Sequence, residues 1–278
     1  RIKVMKTGFS SNAFTKTSLF EGIEILSDIG YDGIEIVLDS PHTFLPIKKE
    51  RINEIQNTLK KNSLTVANLN SNTVSGWSSS NENPFEPSLS NKNEKLRDWR
   101  ISYTKNAIDL AYKLDSPSIC ITSGLLNSLN LSEELDFFKN SLILLGDYAE
   151  QKQILLSIEY EPGLLINNSE DVWKLISNDY SNIGLNLDTC HVAVLGENIS
   201  EIIKKFGKKI FHTHISDCKN NVHFHLIPGL GDINFIEIFD SLKKIGYSGY
   251  LTAELYPYSD NPKEAASKAF IYLKNLMN

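Results

Sequence analysis

Only three of the 278 residues are cysteine, and Cys120, Cys190 and Cys218 are too few and too far apart for a disulfide scaffold or a CxxC metal knuckle. Their odd number suits reduced thiols, so a cytoplasmic setting is expected. Long apolar runs are missing as well. No stretch is long enough to cross a bilayer, and the basic start (Arg1, Lys3, Lys6) precedes no signal-type apolar segment. Nor is there a surplus of positive charge: 28 Lys and Arg stand against 34 Asp and Glu, and the net charge of −6 is spread along the chain. Phosphate backbones attract a concentrated basic surface, so neither a nucleic acid nor a membrane is an expected partner. A Gly-rich phosphate turn after an early strand, which an open dinucleotide-binding sheet would need, is absent too.

What is present is a regular alternation. Short apolar runs with strand character fall at Lys3–Phe9, Gly33–Leu38, Thr65–Asn70, Ser118–Thr122, Leu155–Glu159, Gly184–Asp188, Ile210–Ile215 and Gly249–Leu255. Each is followed by an amphipathic stretch with helical spacing: Leu19–Ile29, Lys49–Lys61, Leu96–Leu114, Glu133–Glu150, Glu170–Ile176, Ile199–Phe206, Phe235–Ile245 and Lys263–Leu276. Eight such pairs filling residues 1–278 predict an α/β fold, a single (β/α)8 TIM barrel domain rather than an open sheet. One segment breaks the rhythm. Ser71–Lys95 is polar and carries Pro84, Pro87, Trp77 and Phe85, so it reads as a long loop after the third strand. That position puts it on the C-terminal face of the barrel, where active sites of this fold lie, and makes Trp77 and Phe85 candidate determinants of substrate choice.

The chemistry-bearing residues cluster in the second half. Glu159, Asp188, His214 and Glu254 fall at or near the ends of the fifth to eighth strands, within LLSIEYEPG, LNLDTCH, FHTHISD and YLTAEL. In a closed barrel those strands are neighbours, so inward side chains near their tops converge. Each carboxylate follows apolar residues, and a buried carboxylate is costly unless it is paired or bound to a metal. No Lys or Arg lies in these four strand segments to pair with them. Three anionic oxygens and one imidazole suit a divalent ion such as Mn²⁺, Mg²⁺, Co²⁺ or Zn²⁺.

Five of the six histidines lie between 191 and 225. His191 stands just beyond the end of the sixth strand, and His223 and His225 flank Phe224, so both face the same way in extended backbone. These three are candidates either for a second metal or for hydrogen bonds to substrate hydroxyls. Glu161, two positions nearer the rim than Glu159, is a further candidate substrate contact. His212 reads as a core histidine, His42 as a rim contact, and Glu35, low in the second strand, as a pairing group inside the barrel. The glycines of Pro228-Gly-Leu-Gly-Asp232 resemble a phosphate cradle only superficially.

The order and spacing of GFSSNAF (Gly8–Phe14), GYDGIEI (Gly30–Ile36), IEYEPG, LDTCH, HTHISD, HLIPGLGDINF (His225–Phe235) and GYSGYLTAEL (Gly246–Leu255) resemble the xylose isomerase-like barrel superfamily. That group includes sugar isomerases and epimerases, inosose dehydratase and endonuclease IV-type enzymes. The resemblance implies a metal held by Glu159, Asp188, His214 and Glu254, the four residues that apolar context also singles out. It further implies a small polyhydroxylated substrate and proton abstraction next to a carbonyl, with Glu159 and Glu254 as acid/base pair. The expected activity is that of a metal-dependent sugar or sugar-phosphate isomerase or epimerase; the alternatives are a keto-cyclitol dehydratase, a metal-dependent hydrolase and, least favoured, a non-catalytic sugar binder. Endonuclease IV-type enzymes place further histidines at the ends of the third and fourth strands, where this chain has none. Free-ketose epimerases often carry an arginine shortly after the seventh-strand motif; here Lys219 is the only cation nearby and is the candidate substrate contact in its place. Barrels of this group often form homo-oligomers, although the sequence carries no interface signature.

Overall fold

The computed structural model describes residues 4–72, 85–126, 131–176 and 180–277. Its strands are β1 (Lys6–Ser10), β2 (Gly33–Val37), β3 (Thr65–Asn70), β4 (Ser118–Ile121), β5 (Leu155–Ile158), β6 (Ile183–Asp188), β7 (Ile210–Ile215), β8 (Asp217–Lys219), β9 (Val222–Leu226) and β10 (Tyr250–Ala253). Strands β1 to β7 run side by side in order, and β10 closes the ring by pairing with both β7 and β1. Every pairing around the ring is parallel, with Lys6 opposite Tyr250 at the seam, so this is a (β/α)8 TIM barrel. The strands are buried on both faces, which is why they read as nearly continuous apolar runs.

The helices are α1 (Leu19–Ile29), α2 (Lys49–Lys61), α3 (Glu94–Lys113), α4 (Leu131–Glu150), α5 (Ser169–Ile176), α6 (Thr189–Val194), α7 (Ile199–Phe206), α8 (Phe235–Lys244) and α9 (Pro262–Met277). Local chemistry sets their ends. The Ser18 hydroxyl accepts the Glu21 amide at the start of α1, and Gly30, at φ 104°, ends that helix in the left-handed conformation that glycine tolerates. Along α7, Ile202, Ile203 and Phe206 form the buried face, and the helix packs beside α8. No helix among the described residues is long and apolar enough to cross a membrane.

Two elements depart from the sequence expectation, and both shape the site. Residues 189–194 form the short helix α6 directly at the end of β6, so His191 is helical rather than merely past a strand. Strands β8 and β9 form an antiparallel hairpin that packs on α6. Its two-residue turn, Asn220-Asn221, has φ 54° at both positions, as a type I′ hairpin turn requires. The long loop after β3 ends where α3 begins at Glu94; Trp77 lies outside the described residues.

Candidate active site

The parallel ladders end one residue before two of the key side chains. The Glu159 amide donates to Ile121 O (2.9 Å) and the Glu254 amide to Ile215 O (3.3 Å), which fixes both carboxylates at the rim just beyond β5 and β10. Asp188 closes β6 and His214 lies next to the end of β7. Ligand-type atoms of Glu159, Asp188, His214 and Glu254 all come within 4.8 Å of one another, and all four residues are buried. His214 Nδ1 faces the three carboxylates: Glu159 Oε1 at 2.7 Å, Glu254 Oε2 at 3.4 Å and Asp188 Oδ2 at 3.9 Å.

Asp188 divides its two oxygens. Oδ1 caps α6 by accepting the amides of Cys190 (2.7 Å) and His191 (3.0 Å), while Oδ2 is buried without a hydrogen-bond partner among the described residues. An anionic oxygen is costly in that state and is aimed at the other three donors, so the donor set fits a divalent cation.

Charge in the site is strongly asymmetric. Burial alone would lower the His214 pKa, but Glu254, Glu35 and Glu159 around it hold it well above its ordinary value. Burial raises Asp188, yet the potentials of His191, His225 and His214 and the His191 amide outweigh it and bring the pKa to about 2. Glu159 and Glu254 diverge: burial raises both, His214 pulls Glu159 below its ordinary value, and Glu254 remains above. Burial pushes Glu161 up to about 7, against the pull of His191 and with Glu159, Glu254 and Asp188 adding to the rise.

Three histidines, His191, His223 and His225, line the cavity beside this cluster. Ring centroids of His191 lie 4.9 Å from His223 and 5.4 Å from His225. His191 Nδ1 stands 2.9 Å from Tyr160 O, which can only accept, so Nδ1 donates to it. His225 Nδ1 lies 3.3 Å from Glu254 Oε2, and His225 Nε2 lies 3.3 Å from His223 Nε2. Burial, with His191 and His225 adding to it, lowers the His223 pKa to about 4, so this imidazole is neutral near pH 7. Asp188, His191 and His225 form one possible ion-binding group and Glu161, His191 and His223 another.

Above the cluster opens a cavity of about 510 Å³, with Asn12, Asp39, Asn70, Asn72, Glu161 and the three histidines on its polar side and Val37, Phe85 and Tyr256 on its apolar side. Phe85, ahead of α3, is thus placed at the cavity. His42 lines the edge, but its Nε2 faces the carbonyls of Phe14 (3.0 Å) and Thr17 (2.9 Å), which ties the ring to the loop after β1. Lys219 does not line the cavity; it ends β8 beside the Asn220-Asn221 turn and is exposed. The glycine-rich segment is no phosphate cradle either. The amides of Gly229, Gly231 and Ile233, with that of Cys218, all donate to the buried Asp217 carboxylate, and a Cβ on Gly231 would fall 2.4 Å from Asp217 Oδ1.

Three side chains at the site escaped the sequence reading. Asn12 donates to Glu254 Oε1 (3.1 Å), Cys120 places its thiol 3.2 Å from Glu159 Oε2, and Asn186 lies 3.1 Å from His214 Nδ1. Asn186 shares inward parity with Asp188 and could have been found that way, whereas Asn12 sits in a four-residue 3-10 helix, Ser11–Phe14, too short to carry a periodic signal.

A closed parallel barrel with carboxylates, a histidine and an open cavity at the C-terminal ends of its strands defines a (β/α)8 barrel of the enzyme type. The chain belongs to the xylose isomerase-like TIM barrel family, whose profile matches residues 23–276. It is 26% identical over 280 residues to the fructoselysine 3-epimerase of Shigella flexneri, a match spanning 98% of both chains. It is 30% identical over 166 residues to the inosose dehydratase of Clostridium perfringens, across 52% of this chain and 56% of that one. Among solved structures, a D-tagatose 3-epimerase-like protein superposes with a TM-score of 0.79 at 25% identity, covering 98% of this chain and 99% of the other.

Proposed function

We propose that this barrel is a divalent-metal-dependent epimerase or isomerase of a small unphosphorylated sugar. The observation that carries the reading is the convergence of Glu159, Asp188, His214 and Glu254, with the buried, unpartnered Asp188 Oδ2, beneath a cavity of sugar size. These four residues would hold the ion. When bound there, a divalent cation supplies Lewis acidity to the substrate carbonyl and offsets the negative charge that develops on it.

The chain's own groups supply the proton traffic. Glu159 takes the proton from the carbon next to the carbonyl, and Glu254 returns one to the opposite face of the same carbon for epimerisation. Return to the neighbouring carbon gives isomerisation instead. Cys120 and Asn12 hold the two carboxylates from behind, while His191, His223 and Glu161 offer hydrogen-bonding partners for substrate hydroxyls. The full-length similarity to a sugar 3-epimerase supports the epimerase outcome.

The lining supports an uncharged substrate. No Lys or Arg lines the cavity among the described residues, carboxyl groups of Asp39 and Glu161 do, and residues 73–84 contain no basic residue in their sequence. With the backbone amides of the glycine segment taken up by Asp217, no donor set remains there for a phosphate. A ketose is therefore expected to turn over with kcat/KM at least about 100-fold above that of its phosphate ester, the equivalent of roughly 3 kcal/mol of like-charge repulsion. Equal or better turnover of the phosphorylated sugar would sink this part of the reading.

The similarity to inosose dehydratase favours a second reading of the same site. There the proton leaves a cyclic keto-polyol in the same way, and a β-hydroxyl departs as water instead of a proton returning. Product analysis by NMR separates the two, since dehydration gives an enone and epimerisation a stereoisomer of unchanged mass.

A further inference from the structure

We propose that Glu35 is a positioning residue that fixes the ring tautomer of His214 and thereby strengthens ion binding at the four-residue cluster. The inference rests on the reading of His214 as a ligand given above. Glu35 lies in β2, fully buried, and does not line the substrate cavity. Its Oε2 is 2.8 Å from His214 Nε2, on the side of the ring facing away from the other ligands, and 3.5 Å from His212 Nε2.

Hydrogen-bond direction along this network is set by the Glu35 carboxylate, which only accepts. It takes the Asn68 amide nitrogen at 2.8 Å, which leaves Asn68 Oδ1 to accept from the Ser118 hydroxyl at 2.7 Å. A carboxylate can only accept, so the partner at 2.8 Å across the barrel, His214 Nε2, must carry its proton. His214 Nδ1 also faces a carboxylate, Glu159 Oε1 at 2.7 Å. Glu159, Asp188 and Glu254 are themselves ion donors, however, so an ion among them would displace the proton on Nδ1 while Glu35 keeps the one on Nε2. Four strands, β4, β3, β2 and β7, thus join in one chain of hydrogen bonds whose outcome is a single usable ligand atom. A carboxylate behind a ligating histidine fixes its orientation and raises its basicity, and losing such a partner weakens metal affinity by about 10–100-fold.

A buried carboxylate with no Lys or Arg in an ion pair with it among the described residues is hard to explain by stability alone. Removing one partner of a buried charged pair costs stability by itself, so a change in ion binding by a variant that still folds is what marks a role towards the ligand.

The test is isothermal titration calorimetry of Mn²⁺ into the metal-stripped protein, comparing the parent with Glu35→Gln, Ser118→Ala and Asp188→Asn, alongside circular dichroism and thermal melts. Glu35→Gln with a parent-like spectrum should bind about 10–100-fold more weakly, and Ser118→Ala, which only loosens Asn68, should weaken binding in the same direction by a smaller factor. Ser118→Ala keeps the test decisive if Glu35→Gln does not fold. Unchanged affinity in every folded variant of Glu35 or Ser118, with Asp188→Asn impaired, overturns the role of Glu35 and leaves the ligand assignment standing. If neither Glu35→Gln, Ser118→Ala nor Asp188→Asn alters Mn²⁺ binding, or the parent binds none, the ligand assignment fails and the inference falls with it.

Discussion

Glu159→Gln is expected to fold like the parent and to lose about 10²–10⁴-fold in kcat. Glutamine keeps the size of the side chain, and its carbonyl can still face His214 Nδ1, the 2.7 Å partner of Glu159 Oε1. What it loses is the ability to take up a proton and one of the three negative charges around the proposed ion. The loss should therefore appear in turnover, with only a minor change in melting temperature. Steady-state kinetics at saturating Mn²⁺, with metal content measured on the same sample, separates loss of the base from loss of the ion. Full activity in a folded, metal-replete Gln variant contradicts the assignment.

The largest effect on stability is expected from Asp217→Ala. This carboxylate is fully buried and accepts four backbone amides, from Cys218 (2.9 Å), Gly229 (2.9 Å), Gly231 (2.8 Å) and Ile233 (3.1 Å). Each donor left without a partner costs about 1–3 kcal/mol if it stays dry, and water reaching the half-exposed loop recovers part of that. A net loss of about 3–5 kcal/mol follows, read as a shift of the urea midpoint at unchanged slope. The same substitution frees the segment that follows β9, so His225 should lose its fixed place beside Glu254 and activity should fall with stability. A loss below about 1 kcal/mol would mean that the loop is held by other contacts.

The barrel was legible because its strands are short apolar runs buried on both faces, a pattern that survives without knowledge of tertiary contacts. The four clustered donors were legible for a related reason: a carboxylate or imidazole stands out against residues such as Leu155, Leu156 and Ile158. Placing them needed only strand order and parity. The hairpin was written in the sequence but overlooked, since Asn220-Asn221 between alternating residues is a two-residue turn signal. The glycine segment could not be resolved locally. Its amides are satisfied by Asp217, 12 to 16 residues earlier, and only the folded chain reveals that partner. Lys219 was selected because it is the one cation near the seventh-strand motif; the hairpin carries it to an exposed turn away from the cavity. Glu35 was rightly taken as an interior pairing group, but its partner His214 is 179 residues away and invisible to spacing.

The most direct test of the central claim is proton NMR in D₂O of a panel of ketoses, aldoses and inososes with Mn²⁺-treated and chelator-stripped protein, the ion being removed before spectra are recorded. The account predicts that the treated protein replaces a carbon-bound proton next to the carbonyl by deuterium in at least one panel member. The stripped protein should do so in none, and exchange should return when the ion is restored. Exchange that persists after stripping, or its absence across the panel despite Mn²⁺ bound to the parent protein, contradicts it.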